Sequence, residues 1–183
     1  MQRDSLHEYI DYDDLVGQLA VHPSKTYRKR DTAILNEIIL HHSATLSGTA
    51  QSFARYQTRH TNQELRDPTR ELRTLFPGIG YHYVKDKNGI HRTQPLEVRT
   101  WHTSGHNTYT VGICHTGHFD LRAPTDEEYA DYVRMILLVD AELGRQLPIN
   151  YHNHYDGRKT CPGSLFDRDY FYDHLREVRQ VVW

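Results

Sequence analysis

Histidine is the residue in excess: it occupies 14 of the 183 positions, several in close pairs, namely His41/His42, His102/His106, His115/His118 and His152/His154. Imidazole is the commonest metal-ligating side chain. A catalytic zinc takes three protein ligands, usually His with one Cys or carboxylate, and keeps a fourth position open for water. Three residues could meet that need from places where the backbone is held. His41 stands at the end of the apolar run Ile38-Ile39-Leu40, and the segment HNHYDGRKTCPG brings His152 and Cys161 to the two ends of a Gly-containing loop. Ahead of Pro162-Gly163, Cys161 sits in a turn, from which a thiolate can point at a metal; taken alone it would read as an ordinary buried thiol.

The elements that must position these residues are legible in outline. Ile38 to Leu40 suits a short buried strand that ends at the polar HHSAT, so both histidines lie at a strand end. Residues 5–19 carry Leu6, Ile10, Leu15 and Leu19 after a Ser5 to Glu8 capping box, which predicts an N-terminal helix docked on the core. Thr49 to His60 reads as a helix with Phe53 and Tyr56 on one face, and RELRTLFPG as a second short amphipathic piece closing at Pro77 and Gly78. GYHYVKDKNGIHRTQP reads as strand, Asn88-Gly89 turn, strand, with Tyr81 and Tyr83 sharing a face. Thr110 to His115, which contains Cys114, reads as a core strand. A Thr125 to Glu128 capping box opens a long helix through Leu143, which Gly144 stops. Asp167 to Val181, with Phe171, Leu175 and Val178 at helical spacing, is the last helix. A hairpin, separate strands and covering helices make an α/β domain with one mixed sheet. One globular unit is expected, with residues 1–32 an N-terminal extension packed on a catalytic domain of residues 33–183.

Composition narrows the function. Hydrophobic residues make up 37%, charged residues 25% and aromatics 11%, too aromatic for a disordered chain. No apolar run approaches the roughly 20 residues of a membrane span, so no membrane insertion is expected. Lys plus Arg is 22 against 24 for Asp plus Glu, a net charge of -2, which disfavours nucleic acid as a partner. The N-terminus MQRDSLHEYIDYDD has no apolar stretch after its Arg, so synthesis in the cytoplasm without a cleavable signal is expected. Two cysteines allow at most one disulfide, too few for a disulfide scaffold. The basic stretch SKTYRKRD, Ser24 to Asp31, reads as an exposed connection, with a substrate- or envelope-facing patch as the alternative.

In order along the chain, ILHHSAT, GIGYHYVKDKNG, WHTSGHN, TVGIC and HNHYDGRKTCPG resemble the zinc-dependent N-acetylmuramoyl-L-alanine amidases of the phage T7 lysozyme and peptidoglycan-recognition-protein type, over about residues 33–167. The resemblance implies one zinc per chain, held by His41, His152 and Cys161, with His154 the alternative to His152 if the loop folds a turn differently. It implies Tyr81 and Lys159 as the catalytic pair that handles the proton and the oxyanion. Without that context Tyr81 would read as hairpin packing and Lys159 as a solvated loop charge. His102, His42 and Asn107 fall where the substrate would be contacted, a surface imidazole being the alternative for His102. His82, His91, His106, His115 and His118 read as incidental polar-face residues.

The implied partner is peptidoglycan and the implied reaction is hydrolysis of the amide between N-acetylmuramic acid and L-alanine, in which zinc polarises the carbonyl and lowers the pKa of water. The implied setting is a monomeric phage or prophage endolysin that reaches the wall through a holin-type pore. The alternatives are a non-catalytic peptidoglycan-binding module of the same fold, which should lack the cysteine ligand, and a bacterial autolysin or muropeptide-recycling amidase. Recycling relatives end the loop with Asp where this chain has Cys161.

Overall fold

Alternation along the strands decides which histidine meets which side of the sheet. The structure is a computed structural model that describes residues 9–58 and 75–182. Among the described residues six strands form one mixed sheet: β1 (Asp13–Asp14), β2 (Glu37–His42), β3 (Tyr83–Asp86), β4 (Gly89–Arg92), β5 (Thr110–His115) and β6 (Ile149–Tyr151). The order is β1-β4-β3-β5-β2-β6, and only the β3/β4 hairpin is antiparallel. Helices α1 (Ala50–Thr58), α2 (Asp126–Leu143), α3 (His152–Tyr155) and α4 (Arg168–Val182) complete the α/β domain.

β2 lies between β5 and β6, and its Ile38, Ile39 and Leu40 are 0% exposed, as a parallel strand covered on both faces requires. Ile38 and Leu40 join Tyr83, Val111 and Ile113 in the larger core under α2 and α4, whereas Val84 and Cys114 join Ala50, Ala54 and Ile79 on the α1 side. His41 pairs in register with Cys114, and His42 with His115. Consecutive strand residues point to opposite faces, so His41 belongs to the α1 face and His42 to the α2 face.

The expected capping box holds α2. Thr125 accepts from the Glu128 amide, the Glu128 carboxylate accepts from the Thr125 amide, and Gly144 ends the helix at φ 68. Tyr132 of α2 reaches through the core and donates its hydroxyl to the His41 carbonyl at 2.8 Å. α4 is tied to α2 by the ion pair of Arg179 with buried Asp140 at 2.7 Å.

Four expectations need correction. Residues 10–32 hold no α-helix: the chain pairs Asp13–Asp14 with His91–Arg92, and the Asp14 carboxylate then caps the Val16 amide at 3.0 Å, a turn-forming use of Asp that competes with helix. Leu6 and the Ser5 to Glu8 box lie outside the described residues, as do residues 70–74 of the 70–78 piece. α1 buries Ala50, Ala54 and Thr58, and Tyr56 is 58% exposed; the helix packs by its small residues against the Val84 and Cys114 side of the sheet, with the Ala50 amide on the Asp86 carboxylate at 2.8 Å. Tyr81 and Tyr83 lie on opposite faces, because the pleat breaks at His82, whose carbonyl receives the amides of both Thr93 and Gln94. The basic stretch is partly engaged: Tyr27 donates to the Gly78 carbonyl, and Arg30 donates to the carbonyls of Leu96, Asn107 and Thr110. No described helix is long and apolar enough to cross a membrane.

Candidate metal centre and its cleft

Three separate stretches of chain converge at the C-terminal ends of β2 and of the edge strand β6. His41 comes from the end of β2, His152 from the first residue of α3 directly after β6, and Cys161 from the loop before α4. One potential ligand atom from each lies within 4.8 Å of the others, the one such cluster of three among the described residues. His41 Nδ1 is 3.6 Å from Cys161 Sγ, and the rings of His41 and His152 are 4.7 Å apart. β6 and α3 escaped the sequence reading because three residues of strand and four of helix are too few to show a period. They hold His152 on the sheet's edge strand; His154, on the same short helix, is exposed and outside the cluster.

The donor set suits a zinc ion. Burial, and then the neighbouring His102 and His152, hold His41 well below the usual imidazole range, and burial followed by the Lys159 charge lowers His152. Both rings therefore keep a free lone pair at neutral pH. Burial pushes the Cys161 thiol up to about 12, so thiolate forms there in the presence of a cation. The amide of His42 already points at Sγ, at 3.3 Å.

His41 is itself held from behind. Its Nε2 lies 3.1 Å from His102 Nδ1, while His102 Nε2 lies 3.2 Å from Thr110 Oγ1. Nδ1 of His41 faces Cys161, and a cation taken there would leave the ring's proton on Nε2, to be donated to His102, the arrangement that fixes a ligating imidazole. His102 can come this close because β5 carries Gly112 there: a Cβ would stand 2.5 Å from its ring. Asn107 accepts the amides of His102 and Thr103 at 2.9 and 2.7 Å and so shapes this loop.

A cleft of about 480 Å³ opens beside the cluster, lined by Phe76, Trp101, His102, Asn107, His152 and Lys159 among others. Tyr81, half-buried, has its ring 5.3 Å from that of His41. Burial, reinforced by the thiols of Cys114 and Cys161, holds its hydroxyl well above the usual range, so it stays protonated. Lys159 is exposed on the rim. His42 is 5% exposed and turned away from the cleft, its Nδ1 accepting the Phe119 amide at 3.1 Å. Of the histidines read as incidental, three are buried and engaged: His82 accepts the Gly112 amide, His91 sits between Asp13 and Asp86, and His115 faces Asp131. Period-2 alternation places such residues inside or outside only when the covering helix is known.

The chain matches the family model described as N-acetylmuramoyl-L-alanine amidase over residues 30–164. No curated protein matches it. Among solved structures it is similar to the N-acetylmuramoyl-L-alanine amidase LysC from Clostridium intestinale, at 19% identity and TM-score 0.63, over 91% of this chain and 97% of that one. It is similar to the endolysin of the Thermus scotoductus bacteriophage Ph2119, at 18% identity and TM-score 0.62, over 84% and 92% of the two chains. The Drosophila peptidoglycan recognition protein SD shares the fold at 16% identity and TM-score 0.63, over 85% and 91%. At these identities the likeness is one of fold, and the sequence match covers the whole region that carries the cluster. The chain belongs to the N-acetylmuramoyl-L-alanine amidase family.

Proposed function

We propose that this protein is a zinc-dependent peptidoglycan amidase that cuts between N-acetylmuramic acid and the L-alanine of the stem peptide. The observation that carries this reading is the cluster of buried His41, half-buried His152 and buried Cys161 opening onto a cleft, within a chain of the amidase family. A bound metal supplies Lewis acidity toward the scissile carbonyl and toward an attacking water. The chain's own residues do the rest. His102 keeps His41 oriented, and the Tyr81 hydroxyl, held protonated, donates to the oxyanion that develops on the carbonyl. Lys159 brings a positive charge to the rim beside His152, and its ammonium and the Tyr81 hydroxyl are the proton donors this reading assigns to the departing amine.

The fold is also that of peptidoglycan recognition proteins, which supports the same ligand with or without hydrolysis. Hydrolysis is favoured by the complete ligand set with Tyr81 beside it, since binding alone needs no convergent buried thiol and imidazoles. The setting proposed is a phage or prophage endolysin, supported by the likeness to endolysins and with a bacterial autolysin as the alternative. Mass spectrometry of digested sacculi tests the reaction: stem peptides with a free L-alanine amine are expected, and cleavage of glycosidic or peptide cross-link bonds alone would overturn it.

A further inference from the structure

Of the three ligands, Cys161 is the one that comes from a loop, and something must hold that loop at the distance a metal requires. The chain on either side of the thiol is bound to a single side chain. Asp120 Oδ2 accepts the Thr160 hydroxyl at 2.8 Å, and Asp120 Oδ1 accepts the Ser164 amide at 2.7 Å. The Gly163 amide closes the turn on the Thr160 carbonyl at 2.8 Å.

Asp120 is itself anchored to the strand that carries the first ligand. The Phe119 amide is donated to His42 Nδ1 at 3.1 Å, and the Phe119 carbonyl accepts the Leu165 amide at 3.0 Å. Gly163 lies flat against this residue, where a Cβ would stand 2.6 Å from the Phe119 carbonyl oxygen at a φ of +131. His42 therefore works twice: its ring fixes Phe119-Asp120, and its amide meets Cys161 Sγ at 3.3 Å. The alternation of β2 sends His41 to the metal face and its neighbour behind, to brace the loop that brings the thiol.

We propose that Asp120 is a positioning residue for the metal-ligating thiol, gripping the loop by Thr160 and Ser164 on either side of Cys161. The inference rests on the metal-centre reading above. Hydrogen-bonded partners outside the ligand shell typically change metal affinity by roughly 10–100-fold when removed, and the same range is expected here for Asp120→Ala. Asp120→Asn keeps an oxygen for the Ser164 amide and an NH2 group for the Thr160 hydroxyl, and should restore the affinity.

The test uses the full chain, with zinc affinity read by competition with a chromophoric chelator. The thiolate-to-metal charge-transfer band of the cobalt(II) protein reports the thiol, and metal-free thermal stability reports the fold. Weaker zinc binding and a diminished band in Asp120→Ala, recovered in Asp120→Asn at equal metal-free stability, support the proposal. Wild-type affinity and an unchanged band in a folded Asp120→Ala overturn it. Should that variant fail to fold, Thr160→Val decides, since it removes one arm of the grip: weaker zinc binding supports the proposal and unchanged binding overturns it. A wild-type chain that takes up no stoichiometric zinc would sink the metal-centre reading itself.

Discussion

The Nε2 atom of His41 lies 3.1 Å from Nδ1 of His102, across 61 residues of chain, and Gly112 is the reason the two rings can meet. On the proposed metal-centre reading, His102 is a positioning residue that acts through His41. His102→Ala should weaken zinc binding by roughly 10–100-fold. Gly112→Ala, which touches none of the three ligands but drives a methyl group into the His102 ring, should do the same. Chelator competition on both variants checks this; wild-type affinity in both would return His102 to the role of a cleft residue alone.

The ligand set is tested by the two cysteines and the two histidines of the last loop. Cys161→Ser should lose zinc and lytic activity. Cys114→Ala, which replaces a wholly buried thiol one strand away from His41, should keep zinc and lose about 1 kcal/mol of stability. His152→Ala should lose the metal, whereas His154→Ala should keep it. Zinc content after dialysis distinguishes these outcomes, and retention in Cys161→Ser would remove the thiol from the site.

Tyr81 and Lys159 are expected to act on the transition state and to leave the metal alone. Tyr81→Phe and Lys159→Ala should each keep one zinc and still pellet with sacculi while losing about a hundredfold to a thousandfold in rate, about 3 to 4 kcal/mol. Full rates in both variants would contradict the assignment. Loss of zinc in either would make that residue a support of the metal centre.

Acid should unfold the metal-free protein through its buried imidazoles. Burial, and then the charge of Arg30, lower His82 to about 3, and burial lowers His42 to about 4. A folded-state value below the unfolded 6.5 means that the unfolded chain binds the proton first. The stability these rings contribute is present above pH 6.5 and is lost as pH falls toward 3 to 4, with a slope approaching about 1.4 kcal/mol per pH unit for each ring. Asp140, raised by burial to about 6, has the opposite sign and gains as pH falls through that value. Urea denaturation at pH 7 and pH 5 should show a smaller acid loss for His82→Gln than for the wild-type chain; equal losses would rule His82 out as a contributor.

What the sequence determined by itself is what local chemistry dictates. The apolar run of Ile38 to Leu40 cannot be other than a covered strand, Asn88-Gly89 turns the hairpin, and Thr125 with Glu128 caps α2 at the expected residue. The types and loop spacing of His41, His152 and Cys161 were enough to nominate a metal set, because few other uses bring those donors to strand ends and turns. Tertiary structure decided everything that depends on which face is covered and by what. It turned His42 behind the sheet, brought His102 onto His41 over a glycine, buried His82, His91 and His115, and placed Asp120 across the cysteine loop. It also spent the N-terminal Asp13–Asp14 on a sheet edge where apolar spacing had suggested a helix. Such outcomes rest on contacts between residues tens of positions apart, whose energy appears only when the sheet has assembled, so no window of sequence contains them.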